Sequence, residues 1–197
     1  MRRKQNEITE GKEIDALLKQ CTVGRLATIG RDGYPYITPV NYIFLNGKIY
    51  FHCAGSGEKL DNIRQDPQVC FEVDIPLAYL DSGFFQEENP CGVTQFFECV
   101  IIRGRAEQVM DLQEKVEALN SLMAVHEKVE GFSGVRAEMK GVAACTVMAI
   151  RIDSISGKSN LAQYKTKNER QRITDYLTQR GWLGDRETVE RIRAWSN

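Results

Sequence analysis

The chain has 197 residues, of which 42% are hydrophobic and 27% are charged, with a formal net charge of −1. These values predict one globular domain with a sizeable core, and the balanced charge argues against a nucleic-acid or anionic-membrane surface. No apolar run approaches the roughly 20 residues that a membrane-spanning helix needs. The first fifteen residues, MRRKQNEITEGKEID, lack the apolar segment of a secretory signal, so a cytoplasmic protein is expected.

The cysteines and histidines do not indicate a metal site. The six cysteines contain no C-x-x-C pair, and only two histidines, His52 and His126, are present. In a cytosolic chain of this size the cysteines are expected to be reduced. Without clustered ligands, we expect no metal ion.

Paired strands are predicted in the first part of the chain, after a helix over 8–20. The strands are expected over residues 22–29, 34–45 and 48–53. Pro39 predicts a bend or bulge in the second of them, since proline cannot donate to a ladder. Asn46-Gly47 is the strongest hairpin signal in the chain, because both residues tolerate positive φ.

The remainder alternates between strands and helices. Strands are expected over residues 68–73, 95–109 and 142–155, and helices over 58–65, 111–126, 163–180 and 185–196. Residues 74–94 show no clear hydrophobic periodicity and are interpreted as a loop. Because the strands come in hairpin order before any long helix, the pattern predicts a mainly β fold, a six-stranded antiparallel barrel with peripheral helices.

A glycine-rich loop leads into the helix at 58–65. Gly55 and Gly57 would let a ligand approach the backbone, Ser56 offers a hydroxyl, and Lys59 lies in the first helical turn. This combination suits a phosphate monoester. Spacing alone favours the alternative of a helix capped by Ser56 with a solvated lysine.

Two neighbouring features could belong to the same site. His52 precedes the loop and could donate to a ligand or move a proton, although a strand histidine is more often structural. The proline-interrupted run Thr38-Pro39-Val40-Asn41 could offer backbone groups to a planar heterocycle, although an ordinary bulge or edge strand explains it as well. Arg25 is a phosphate partner or a rim residue.

The order of several short motifs resembles a known family. The segments GRLATIGRDGYPYITPVNY and IYFHCAGSGEKLDNIRQDPQVCFEV resemble the pyridoxamine 5′-phosphate oxidase-like, FMN-binding split-barrel proteins, and among them the nitroimidazole-resistance (Nim-type) branch. The similarity is clearest over residues 22–73 and continues more loosely to Lys158, about two-thirds of the chain. The end, RGWLGDRETVERIRAWSN, lacks the substrate-phosphate motif of the oxidases proper, which disfavours vitamin salvage.

The resemblance implies a six-stranded split barrel over residues 1–158, with 159–197 as a helical extension packed on the barrel or on a dimer partner. It implies a homodimer that holds FMN at its interface. The residues that would bind FMN are Thr38, Pro39, Val40, Asn41, Phe51, His52, Ser56 and Lys59. Among them Lys59 and the Ser56 loop would meet the phosphate, and His52 would be the catalytic residue.

Two functions remain open at this stage. One is an FMN-dependent oxidoreductase that passes electrons from a reduced small-molecule donor to a small acceptor such as a nitro-aromatic compound. The other is a non-enzymatic flavin- or haem-binding module for sensing, storage or sequestration. No nicotinamide-binding fingerprint is visible, and one fold can serve several chemistries.

Overall fold

The computed structural model describes residues 3–85 and 90–196. The strands are β1 (Glu7–Ile8), β2 (Val23–Ile29), β3 (Pro35–Leu45), β4 (Lys48–Cys53), β5 (Gln68–Leu80), β6 (Thr94–Gln108) and β7 (Thr146–Asn160). The helices are α1 (Gly11–Gln20), α2 (Glu58–Gln65), α3 (Leu112–His126), α4 (Lys140–Ala144), α5 (Lys167–Arg180) and α6 (Asp185–Ser196).

The strands form one mainly antiparallel sheet that closes on itself. Their order is β1-β7-β4-β3-β2-β5-β6, and a further pairing of β6 with β7 joins the two sides. The predicted mainly β, split-barrel fold with peripheral helices is confirmed. The sheet contains a seventh strand, the two-residue β1, besides the six predicted strands. The predicted β3–β4 hairpin is also present, and Asn46 and Gly47 have φ of 51° and 74° as its tight turn requires.

Pro39 does not interrupt β3, contrary to the predicted bend or bulge. The register with β2 runs without a break from Val23 opposite Asn41 to Ile29 opposite Pro35. The ladder with β4 covers only Tyr42–Leu45. Pro39 therefore lies where β3 has one partner strand, and an open edge tolerates a missing N–H donor.

Other element boundaries also differ from the predictions. The strand β5 continues to Leu80 through part of the expected loop, and two short 3-10 turns follow at Ser82–Phe84 and Pro90–Gly92. The last strand begins at Thr146 rather than residue 142, because α4 takes up Lys140–Ala144. Part of the expected loop, residues 86–89, lies outside the described residues.

The chain divides into two compact units. One comprises residues 1–10, 74–99 and 157–197, and the other comprises 11–73 and 100–156. The strands β5, β6 and β7 each contribute residues to both. The predicted division at residue 158 stays a prediction; the observed grouping adds two earlier segments to the C-terminal residues.

The larger unit has a tightly packed interior. Phe71 is fully buried and meets Tyr42 edge-on at 4.9 Å between ring centroids, while the Tyr42 hydroxyl donates to the Leu18 carbonyl at 2.7 Å. Gly24 lies against the Phe71 ring, and a Cβ there would overlap it. At Gly104 a Cβ would overlap the backbone carbonyl of Arg151 on β7, so glycine allows these strands to approach closely.

The smaller unit has its own core beneath α5 and α6. It is formed by Leu77, Ala78, Leu80, Phe96, Leu161, Ala162, Ile173, Leu177, Val189 and Ile192. This core explains why β5 extends beyond residue 73, since burial of Leu77 and Leu80 stabilises a strand whose sequence has a weak period. Among the described residues, no helix is long and apolar enough to cross a membrane.

Candidate functional site

The candidate site begins at the open edge of β3. Pro39 lies opposite Arg25 and Asn41 opposite Val23, all on the exposed face of the β2–β3 ladder. Arg25 pairs with Glu72 at 3.2 Å across the neighbouring strand. Because side chains alternate between faces, the side chains of Pro39 and Asn41 are available to a ligand on the exposed face. The backbone of β3 at these residues is also accessible on the side that does not pair with β2.

Thr38 and Val40 lie on the opposite face of the same strand. Val40 is 6% exposed and faces inward, and Thr38 lies opposite the fully buried Leu26. A ligand on the outer face could therefore meet these two residues only through the backbone.

On β4, the next two residues predicted to bind the ligand, Phe51 and His52, also point to opposite faces of the sheet. Phe51 pairs with Tyr42 and is fully buried, whereas His52 is exposed. Asn41 and His52 each lie next to the Tyr42–Phe51 pair and so project to the other face from it. The structure therefore brings His52 and Asn41 to one surface and directs the Phe51 ring into the core.

The loop after β4 leads to a helix start without a side-chain cap. The N-cap residue of α2 is Gly57, with φ of 130°, and it makes no side-chain cap bond. Ser56 is exposed and, among the described residues, its hydroxyl makes no hydrogen bond. The alternative of a helix capped by Ser56 is thus not what the structure shows. The first amides of α2 are left for another acceptor, and helix N-termini with free amides attract anions.

Lys59 adds a positive charge to this end of α2. It is the second residue of the helix, half-buried, and within the described part of the chain it forms no ion pair. Burial raises the pKa of the Cys53 thiol at the end of β4, and the charge of Lys59 acts against that rise. The ammonium group is therefore close enough to influence Cys53 at the end of β4.

Two residues that sequence reasoning missed support the loop. Arg64 binds Asp61 at 2.9 Å and reaches the Gly55 carbonyl at 3.4 Å, so it links the far end of α2 to the loop. Thr146 is buried opposite Cys53, and a Cβ on Gly55 would lie 3.8 Å from its hydroxyl. The spacing of Asp61 and Arg64 on one helix face indicates their pairing, but no sequence signal links either Thr146 or Arg64 to Gly55.

A cavity of about 430 Å³ lies on another side of α2. It is lined by Gly30, Arg31, Asp32, Glu58, Asp61 and Asn62. Three of these side chains are carboxylates, which would repel a phosphate. The cavity is therefore a poor phosphate site. Within residues 3–85 and 90–196, no three histidine, cysteine or acidic side chains cluster so that they could hold a metal ion.

The fold defines the class of protein as a split barrel with a candidate anion site at the start of α2. The family model described as pyridoxamine 5′-phosphate oxidase matches residues 10–159, most of the chain. The chain therefore belongs to this family, as its motifs predict. A search of curated proteins found no match to this chain.

Solved structures share the fold at low sequence identity. A candidate 5-nitroimidazole antibiotic resistance protein from Bacteroides thetaiotaomicron has a TM-score of 0.65 and 22% identity, covering 78% of this chain and 86% of that chain. The flavocytochrome Anf3 from Azotobacter vinelandii has a TM-score of 0.65 and 19% identity, covering 78% and 69%. An FAD and heme binding protein from Mycobacterium smegmatis has a TM-score of 0.64 and 17% identity, covering 84% and 78%.

Proposed function

We propose that this protein binds FMN and is an oxidoreductase that passes electrons from a reduced small-molecule donor to a small acceptor, with nitro-aromatic compounds as the acceptor class. The observation that carries the proposal is the start of α2, where uncapped amides and Lys59 follow the end of β4, the strand that carries the exposed His52. Family membership and the names of similar structures, which include a flavocytochrome and an FAD-binding protein, support a flavin as the ligand.

Each residue of the site has a distinct role in this proposal. Lys59 and the first amides of α2 bind the phosphate, and the Ser56 hydroxyl donates to it. The open edge of β3 beside Pro39 and Asn41 offers backbone groups to the planar ring system. His52 orients the ligand or donates a proton. FMN, when bound, supplies the redox chemistry.

The exposed face of β2 and β3 supports a homodimer with the cofactor at its interface. Val23, Ile29 and Ile37 are 48%, 43% and 63% exposed on the same face as Pro39. Apolar side chains grouped on one exposed surface are typical of a protein–protein interface. A second copy of the chain would cover them and shield the flavin from water. Sedimentation of the purified protein measures whether it is a dimer.

The phosphate assignment is tested with Lys59→Ala. A charge-assisted hydrogen bond contributes about 1.5–3 kcal/mol, so the dissociation constant for FMN should rise by roughly 10- to 100-fold. The matched control is Lys12→Ala, since Lys12 is likewise the second residue of a helix, α1. Titration of apoprotein with FMN should show the loss in the first variant alone, and equal affinities would remove Lys59 from the site.

Two of the similar structures, a flavocytochrome and an FAD and heme binding protein, support one alternative function. In this alternative the protein is a non-enzymatic flavin- or haem-binding module. Anaerobic mixing with NADH or NADPH separates the two functions. Loss of the oxidised-flavin absorbance, followed by its return when a nitro-aromatic acceptor is added, supports the enzyme. In that case His52→Asn should keep FMN and slow one of the two steps. An unchanged spectrum with every donor tested, or a haem spectrum, supports the binding module.

A further inference from the structure

A second concave site lies in the smaller unit, between the helices α5 and α6. Its volume is about 380 Å³, and its lining includes Leu177, Gly181, Trp182, Arg186, Val189 and Arg193. This volume is within the range of small-molecule sites. We call it the α5–α6 groove. Its residues all belong to the smaller unit, whereas those of the candidate flavin site all belong to the larger one.

The α5–α6 groove has an apolar floor and a fixed aromatic wall. Leu177 and Val189 are 0% and 5% exposed and form the floor, while Trp182 is 62% exposed. The Trp182 backbone N–H donates to Asp185 at 2.8 Å, and the Arg180 guanidinium lies 4.3 Å from the indole centroid. These contacts hold the indole in place without covering it, so the wall is formed before any ligand binds.

The charge at the α5–α6 groove is positive and only partly compensated. Arg186 forms an ion pair with Glu190 at 3.0 Å, and both side chains line the groove. For Arg193, by contrast, the described residues supply no ion pair, hydrogen bond or aromatic contact. A guanidinium that pairs with no described carboxylate and lies beside an apolar floor favours a ligand that carries an acid group.

We infer that the α5–α6 groove binds a small amphipathic acid, with its apolar body on Leu177 and Val189 against the Trp182 indole and its carboxylate on Arg193. The Trp182 indole, 62% exposed, disfavours a purely hydrophilic anion, because such a ligand would leave the ring exposed to water. Arg193, which has no ion-pair partner among the described residues, disfavours a neutral apolar ligand, since its guanidinium would lose hydration without gaining a partner. This site is additional to the proposed flavin site and does not depend on it.

Phenylacetate and its neutral analogue phenylacetamide test the inference. In the full-length Trp195→Phe variant, Trp182 is the remaining tryptophan, and its fluorescence, excited where the ligands do not absorb, reports on the α5–α6 groove. We expect saturable binding of phenylacetate with a dissociation constant of about 1 mM, as ligand size allows. Phenylacetamide should bind at least about tenfold more weakly, because it cannot form the charged pair.

Variants of Arg193 separate a ligand role from a structural one. Arg193→Gln should weaken phenylacetate binding by about tenfold and leave the weak binding of phenylacetamide unchanged, while Arg193→Lys should recover part of the affinity. The control Lys167→Gln, an exposed charge at the start of α5, should bind like the parent protein.

Calorimetric titration repeats these measurements without fluorescence, and thermal unfolding confirms that each variant is folded. Equal affinities for acid and amide, no saturable binding, or a folded Arg193→Gln protein with parental affinity would overturn the inference.

Discussion

The buried charges that hold the α5–α6 hairpin give a specific stability prediction for Asp185→Asn. Asp185 is 1% exposed and accepts hydrogen bonds from Arg180 Nε at 3.0 Å and from the Trp182 N–H at 2.8 Å. The Arg180 side chain is itself only 8% exposed. The substitution preserves the size of the side chain and removes its charge, so it leaves a buried guanidinium with less compensation.

The expected loss is about 3 kcal/mol in the free energy of unfolding. Breaking a buried ion pair by removing one partner costs about 3–5 kcal/mol. The lower end applies here because Asp81 still pairs with Arg180, and the Tyr79 carbonyl still accepts from it at 2.9 Å. The hydrogen bond to Asp185 is the main reason that the pKa of Arg180 lies above its usual value, which agrees with strong mutual stabilisation.

Urea denaturation followed by circular dichroism measures the effect. With a slope of about 2 kcal/mol per molar urea, a loss of about 3 kcal/mol lowers the midpoint by about 1.5 M. The control is Asp175→Asn, because Asp175 is exposed on α5 and should change stability by less than about 0.5 kcal/mol. A loss below about 1 kcal/mol for Asp185→Asn would refute the reasoning that this carboxylate compensates a desolvated guanidinium.

Two further predictions concern the larger unit. Gly104→Ala should destabilise the protein by about 3 kcal/mol or more in the same denaturation assay, because the new Cβ meets a rigid carbonyl of β7, whereas Gly55→Ala should cost less than about 1 kcal/mol in an open site. The pKa of Glu114 is lowered chiefly by the Tyr50 hydroxyl at 2.7 Å and then by Lys48 at 3.0 Å. Its contribution to stability is therefore present above the ordinary pKa of 4.5 and is lost as pH falls through the lower folded-state pKa. Glu114→Gln should therefore reduce the acid dependence of unfolding below pH 4.5, and an unchanged dependence would exclude Glu114 as its source.

Predictions from local signals were accurate. The Asn46-Gly47 turn and the helix Glu58–Gln65 occur where the sequence indicates them, since the φ of the turn residues and the glycine and proline that flank the helix are properties of neighbouring residues. The same applies to the buried positions Ile14, Leu17 and Leu18 of α1, which follow the helical spacing of the sequence. The helix predicted over 8–20 nevertheless begins only at Gly11, because residues 7–8 pair with β7 as strand β1.

Predictions that depend on distant partners were less accurate. The extension of β5 to Leu80 requires the core beneath α5 and α6, which residues 74–80 do not reveal by themselves. The straight course of β3 through Pro39 depends on where the ladder with β4 ends. Both outcomes arise from pairing and burial across long stretches of the chain, for which a local pattern carries little information.

For the candidate site, the sequence by itself determined the family, the succession of the main strands along the chain and the position of Lys59 at a helix start, because these depend on motifs and on the hydrophobic periodicity of the sequence. Only the tertiary structure decided which side chains a ligand can reach. It directs Pro39, Asn41 and His52 outward and Val40 and Phe51 into the core, and it leaves the start of α2 without a side-chain cap. The physical reason is that the face of a strand and the partners of a helix end are set by strand register and packing, which bring together residues far apart in sequence.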